Sequence, residues 1–186
     1  KENCCGCNAC VQVCPVSCIQ LYEDQEGFWY PKVEEENCIN CGLCERVCPC
    51  LSLKPARNAK FTFAVKTNNE ILRRQSSSGG LFSELAEWII KQGGVVFAVR
   101  FSKDWTVVHG YTDKIEELSL FRGSKYAQSQ VGDCYKYAQS FLKQGRWVLF
   151  VGTPCQIAGL NLFLKKEYDR LIAVDVVCHG VPSPKV

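Results

Sequence analysis

The stretch Cys4-Cys5-Gly6-Cys7-Asn8-Ala9-Cys10-Val11-Gln12-Val13-Cys14-Pro15 decides how the head of the chain folds, because it returns 34 residues later. Glu2-Asn3-Cys4 comes back as Glu36-Asn37-Cys38, and Val13 as Val47. Cys7, Cys10 and Cys14-Pro15 come back as Cys41, Cys44 and Cys48-Pro49. Each copy spells C-x-x-C-x-x-C-x-x-x-C-P.

That spelling is the bacterial ferredoxin run for a [4Fe–4S] cluster. Three thiolates spaced two residues apart can reach three irons of one cube from a tight loop. The fourth Cys opens a segment that points away and ligates the other cluster. Cluster one is therefore assigned to Cys4, Cys7, Cys10 and Cys48, and cluster two to Cys38, Cys41, Cys44 and Cys14. Pro15 and Pro49 turn the chain after each fourth ligand. Gly6 and Gly42 let the loops wrap closely. Zinc is the competing metal, but paired C-x-x-C knuckles give no reason for a third Cys two residues on, nor for two Cys-Pro ends.

Working outward, 11 of the 14 Cys lie in the first 50 residues of a 186-residue chain without Met. A disulfide scaffold would need a secretory context, and no signal peptide is legible. The dense head reads as metal-binding in a reducing compartment. Cys5, Cys18, Cys50 and Cys134 fall outside the pattern and read as small buried residues. Residues 1–55 carry a net charge of −4 and residues 56–186 a net +7. Eight thiolates and two oxidised cores of about 2+ each bring the whole to roughly −1. No basic run points to nucleic acid, and no apolar run is long enough to span a bilayer. An apolar fraction of 47% excludes a disordered chain. The start on Lys1 and the end at Val186 read as those of a piece of a longer protein.

Between the repeats, Ile19–Glu23 and Phe28–Val33 flank a turn at Asp24–Gly27 and predict a β-hairpin, with Phe28 or Trp29 shielding a cluster. Residues 55–75 read as a linker with one strand at 61–66. Apolar positions 81, 82, 85, 86, 89 and 90 predict a helix stopped by Gly93-Gly94. Strands are expected at 95–101, 106–111, 147–151 and 171–177, and a short helix at 115–121. Further helices are expected at 133–144, capped by Asp133, and at 153–166. The fold expected is an α+β two-cluster ferredoxin-like domain over 1–54, then an α/β domain with a mixed, partly parallel sheet over 76–186, incomplete at its C-terminus.

Ligands in such sheets bind where strands end and helices begin. Ser76–Gly80 is a candidate phosphate cradle at a helix start, which N-capping explains equally well. Gly152-Thr153-Pro154-Cys155 is a second junction, and there the helix dipole is expected to lower the Cys155 thiol pKa. Cys178-His179-Gly180 ends a third strand. His109 reads as structural.

Ser77-Ser78-Gly79-Gly80, Gly123-Ser124-Lys125-Tyr126, Gly152-Thr153-Pro154-Cys155-Gln156 and Cys178-His179-Gly180, following two ferredoxin repeats, resemble the coenzyme F420 hydrogenase/dehydrogenase beta-subunit family. The resemblance implies an iron–sulfur flavoprotein, an enzyme passing electrons between [4Fe–4S] clusters, FAD and a two-electron substrate such as coenzyme F420. It implies flavin contacts at Ser78, Gly79, Gly80, Ser124, Lys125, Thr153 and Gln156. Lys125 is the candidate positive charge at the flavin, and Cys155 the candidate reactive thiol. It also implies a third [4Fe–4S] cluster with Cys155 and Cys178 as two ligands, the other two lying in a C-x-x-C pair that this chain does not contain. A redox partner protein or small electron carrier and a cytoplasmic, reducing, anaerobic setting are expected. Two rival readings are an electron-carrier module that only docks a partner, and a thiol-redox protein using Cys155 and Cys178.

Overall fold

The computed structural model describes residues 3–52 and 58–185. The two repeats fold alike. Gly6 and Asn40, equivalent at the 34-residue shift, both take left-handed backbone, with φ of 67° and 51°. Asn8 and Gly42, the next equivalent pair, do the same at 64° and 65°. Gly and Asn are the residues that tolerate that conformation. Each pair of left-handed turns feeds a short helix at an equivalent residue, α1 (Ala9–Val13) and α2 (Leu43–Arg46). Between them β1 (Ile19–Glu23) and β2 (Trp29–Val33) pair antiparallel. Asp24 Oδ1 closes their turn by accepting the N–H of Glu26 and of Phe28, both at 2.9 Å. The expected head boundary at 54/55, and Glu2 of the first repeat, lie outside the described residues.

The strand expected at 61–66 does not form. Alternating apolar residues make a strand only against a partner edge, and this stretch pairs with none among the described residues, its Phe61 and Phe63 each 78% exposed. A short helix the pattern did not announce follows, α3 (Glu70–Arg74), capped where Asn69 Oδ1 accepts Leu72 N–H at 3.1 Å.

The remaining elements follow the expected order: α4 (Leu81–Lys91), β3 (Val95–Phe101), β4 (Val107–Thr112), a 3-10 turn at Ile115–Phe121, α5 (Cys134–Lys143), β5 (Val148–Gly152), α6 (Pro154–Leu164) and β6 (Leu171–Asp175). The sheet order is β4-β3-β5-β6. β4 runs antiparallel to β3, while β3, β5 and β6 run parallel. Alternation along the strands divides the core. Val96 and Leu149 face α4 and the 3-10 turn. Val95, Phe97, Val148 and Phe150 face α5 and α6, and into this same cluster come Cys7, Ala9 and Val47 of the head. Each fully buried Val or Phe contributes about 1.5–3 kcal/mol. The head is thus packed onto one face of the α/β body by a shared core.

Asp133 precedes α5 but does not cap it; its carboxylate pairs with Lys136 at 2.9 Å instead. The first turn of α5 is closed from the head, where Gln12 Oε1 accepts the N–H of Tyr135 at 2.9 Å and of Lys136 at 3.4 Å.

Candidate iron–sulfur centre

The left-handed turns at Gly6 and Asn8 fold the first loop so that its thiols face inward. Cys4, Cys7 and Cys10 line one cavity, and Cys48 of the second repeat lines it with them. These four are the crossed set expected for cluster one. Cys5, Cys50 and Pro31 complete the wall. Pro31 of β2 covers this side, rather than the rings of Phe28 or Trp29. The chemistry of the donors fits a [4Fe–4S] cube, in which each thiolate takes its own iron and the sulfurs surround the cluster. Among the described residues no three His, Cys, Asp or Glu side chains come together as ligands of a single metal ion. Burial pushes the Cys10 thiol up to about 11, with Cys4 and Cys48 adding to it, and burial also raises Cys4.

The second set is more open. Cys14 lies 3.5 Å from Cys18, and Cys38 is close enough to add to the rise of the Cys18 pKa. Cys18 is therefore a buried neighbour of two expected cluster-two ligands, pushed up to about 11 first by burial and then by Cys14. Burial works against the Cys14 thiolate, but the backbone N–H groups of Cys18, Val16 and Ser17 outweigh it and lower its pKa. Cys38 Sγ reaches Asn40 Oδ1 at 3.8 Å, Cys44 neighbours Cys10, and Cys41 is exposed.

Behind the first loop lies a tight seam. A Cβ on Gly159 of α6 would stand 3.1 Å from Cys7 Sγ and 3.4 Å from Ala9 Cβ. The buried Tyr135 hydroxyl faces two carbonyl oxygens, Cys7 O at 2.8 Å and Gln156 O at 2.9 Å. Nothing in the local pattern distinguishes Tyr135, Gln12 or Gly159 from ordinary helix residues.

At the body's helix starts the expected flavin residues fall into two groups. α4 ends just before β3 begins and α6 starts just after β5, so both helix N-termini come to the edge where β3 and β5 end. Gly80 caps α4 with φ 85°, and a Cβ there would meet Thr67 Cγ2 at 2.7 Å. A Cβ on Gly79 would collide with Val65 O, and Thr67 N–H donates to Gly79 O at 2.7 Å. The two glycines are thus needed for residues 65–67 of the chain itself, while Ser78 is exposed. Arg122 ties this loop to the next, reaching Ser83 Oγ at 3.0 Å and Gln75 Oε1 at 2.8 Å. Ser124 is exposed. Lys125 Nζ turns back to Arg122 O at 2.7 Å and Gly123 O at 3.0 Å, and partial burial lowers its pKa.

At α6, Thr153 and Gln156 form a capping box. Gln156 Oε1 accepts Thr153 N–H at 2.9 Å, and its Nε2 donates to Ser129 Oγ at 2.9 Å. Ser129 Oγ in turn meets His109 Nδ1 at 3.3 Å. His109 is buried against Phe150, and burial lowers its pKa to about 4. Both ends of the Gln156 side chain are committed within the chain.

Two expectations for the cysteines are corrected. The Cys155 pKa is raised, not lowered, because the neighbouring Cys5 thiol and its own burial outweigh the helix terminus. Cys5 is exposed rather than a buried filler, and Cys50 is half-buried in the sulfur-lined wall. Cys134 is buried as expected and is pushed up to about 12 by burial. Cys178 Sγ contacts Gly180 O at 3.6 Å, and it follows β6 at the same sheet edge where α6, with Cys155, starts after β5.

Comparison with known proteins bears on both halves. Residues 3–51 match the family model of the 4Fe-4S dicluster domain. Residues 145–186 match the family model of the C-terminal part of the coenzyme F420 hydrogenase/dehydrogenase beta subunit. The last quarter of the chain is thus similar to that beta subunit, and its head to a dicluster ferredoxin domain. Together the two matches describe an iron–sulfur protein of the electron-transfer oxidoreductase type, related to that beta subunit. Curated relatives match a 34-residue stretch, or 17% of the chain: NADH-quinone oxidoreductase subunit I of Methylococcus capsulatus at 53% identity and subunit I 1 of Nitrosococcus oceani at 50%. That stretch spans 20% and 19% of those proteins' own length. A chain of the F420-reducing [NiFe] hydrogenase complex from Methanosarcina barkeri overlaps 50% of this chain and 32% of its own, with 17% identity and a TM-score of 0.41, a likeness that decides nothing here. No helix among the described residues is long and apolar enough to cross a membrane.

Proposed function

We propose that the chain carries two [4Fe–4S] clusters in crossed ligand sets and relays electrons between a protein or small-molecule redox partner and a two-electron site on the α/β body. Cys4, Cys7, Cys10 and Cys48 hold one cluster, and Cys38, Cys41, Cys44 and Cys14 the other. The observation that carries this reading is the single cavity lined by three thiols of one repeat and the fourth of the other. The clusters supply one-electron transfer at low potential. The residues of the chain do the rest. The four thiols give up their protons on binding metal. Pro31 and the packing of Ala9 keep water off the first site, and Tyr135 fixes the Cys7 carbonyl.

The finer reading is that FAD sits at the edge where β3 and β5 end, near Ser78, Gly79, Gly80, Ser124, Lys125, Thr153 and Gln156, and exchanges a hydride with a deazaflavin such as coenzyme F420. Its support is the family match together with the two helix starts at that edge. The compartment is proposed to be cytoplasmic and reducing. The carrier reading has its own support, since Gly79, Gly80 and Gln156 are engaged within the chain. Anaerobic reconstitution with iron, sulfide and FAD separates the two. The oxidoreductase reading expects bound flavin and reduction of coenzyme F420 by the reduced protein. Iron-loaded protein that retains no flavin would leave the carrier reading standing.

A further inference from the structure

The two expected cluster sites meet different neighbours, and that gives them an order. Cys7 of the first loop is buried in the core that the head shares with α5 and α6. The Tyr135 hydroxyl joins its carbonyl, at 2.8 Å, to that of Gln156 on the first turn of α6, at 2.9 Å. The first site therefore lies against the body. The second site turns to solvent. Cys41 is exposed, and Ile39, beside Cys38, is 60% exposed. Val16, two residues past Cys14, is 42% exposed. Glu34 N–H donates to Cys18 O at 2.8 Å, and Cys18 Sγ lies 3.5 Å from Cys14 Sγ. The segments carrying Val16 and Ile39 are thus tied together at the second site. Glu35, Glu36 and Glu45 are exposed around it, and Arg46 of the same loop is turned to Cys41 O at 3.0 Å.

Resting on the two-cluster reading above, we infer that the body exchanges electrons with the first site and that the second site is the outlet. Its acidic, partly aliphatic face docks a basic one-electron carrier protein. Bare aliphatic side chains inside a charged rim are the make-up of a docking surface. Four thiolates on an oxidised core add a charge of roughly −2 to the glutamates. A carrier of opposite sign is drawn to such a face, and one of like sign is repelled. In the exchange the reduced second cluster gives one electron to the carrier's oxidised centre and returns to its own oxidised state. The first cluster then refills it, and no bond or proton changes hands. A second copy, net +7 over residues 56–186, is the rival occupant, but those cations are scattered without a basic run.

The test uses the full chain, reconstituted anaerobically with iron and sulfide, reduced, and freed of excess reductant. It is mixed by stopped flow with oxidised cytochrome c, a basic one-electron haem protein, or with succinylated cytochrome c, whose lysines carry negative charge instead. At low salt the unmodified form is expected to be reduced about tenfold faster or more, the advantage shrinking as salt rises. Glu35→Lys combined with Glu36→Lys, with all iron retained, is expected to slow cytochrome c about tenfold and to speed the succinylated form. Glu116→Lys, exposed on the body, is expected to change neither. Cys14→Ala, left with the first site, is expected to slow transfer to cytochrome c. Equal rates for the two forms, or an unchanged rate in the paired lysine variant, would overturn the inference. So would full-speed transfer from Cys14→Ala, because electrons would then leave from the first site. Self-association at low salt that the paired lysine variant abolishes would also overturn it, making this face an interface between copies. Iron is assayed on every sample, so fewer than about eight irons in the unsubstituted chain marks a failure of the two-cluster reading and not of the docking face.

Discussion

The first and second cysteine loops share spacing, left-handed turns and a following helix, but not surroundings. Ala9 at the start of α1 is 0% exposed and packs against α6, whereas none of the residues of α2, which starts at the equivalent Leu43, is buried. Cys7 is buried, and its equivalent Cys41 is exposed. A repeat in sequence thus fixes backbone and ligand spacing, while the neighbour each copy meets fixes its solvation. Solvent exposure is one of the terms that sets the potential of an iron–sulfur cluster, so the two sites are expected to differ although their ligands match.

The largest effect expected is on metal content. Cys48→Ala should cost the first loop its fourth ligand and lower iron from about eight to about four per chain. Cys14→Ala should do the same for the second loop. If each variant instead removed the cluster of its own repeat, the crossing would be wrong, and the remaining cluster's spectrum would show it.

The same contrast of dry and wet holds for the two histidines. His109 is buried and His179 exposed. The folded His109 titrates near 4, below its ordinary value of 6.5. Its neutral form therefore favours the folded state fully above pH 6.5, and that contribution is lost as pH falls toward 4. Wild type should lose about 3 kcal/mol more than His109→Gln between pH 7 and 4 in urea unfolding. Equal losses would mean that His109 is open to water.

Matched substitutions sharpen the comparison of the loops directly. Ala9→Leu should overpack the seam and cost about 1–3 kcal/mol, whereas Leu43→Ala should cost less than about 1 kcal/mol. Equal costs by thermal unfolding would remove the asymmetry. The smallest effect concerns the cap lent by the head to α5. Gln12→Ala should cost about 1 kcal/mol and Asp133→Ala should leave stability unchanged, a result that chemical denaturation can separate.

What was legible follows from what is local. The ligand spacing, the hairpin and the βα order are written in short stretches of chain. The meeting of Cys48 with Cys4, Cys7 and Cys10 at one cavity was legible too, because the fourth Cys of each run follows its own loop at a distance. The seam was not, since Ala9, Gln12, Tyr135 and Gly159 acquire their roles only when α1 meets α5 and α6. The stretch 61–66 misled because alternation describes a face and says nothing of a partner strand. Ser76–Gly80 looked like a phosphate cradle, and its glycines turn out to accommodate residues 65–67. Cys5 looked like filler because its neighbour, Cys155, is 150 positions away.

Iron and acid-labile sulfide, measured on the anaerobically reconstituted chain, test the central claim most directly. The account predicts about eight of each per chain, with two distinguishable [4Fe–4S] signals on reduction. Stoichiometric zinc, or no more than about four irons in the unsubstituted chain, would contradict it.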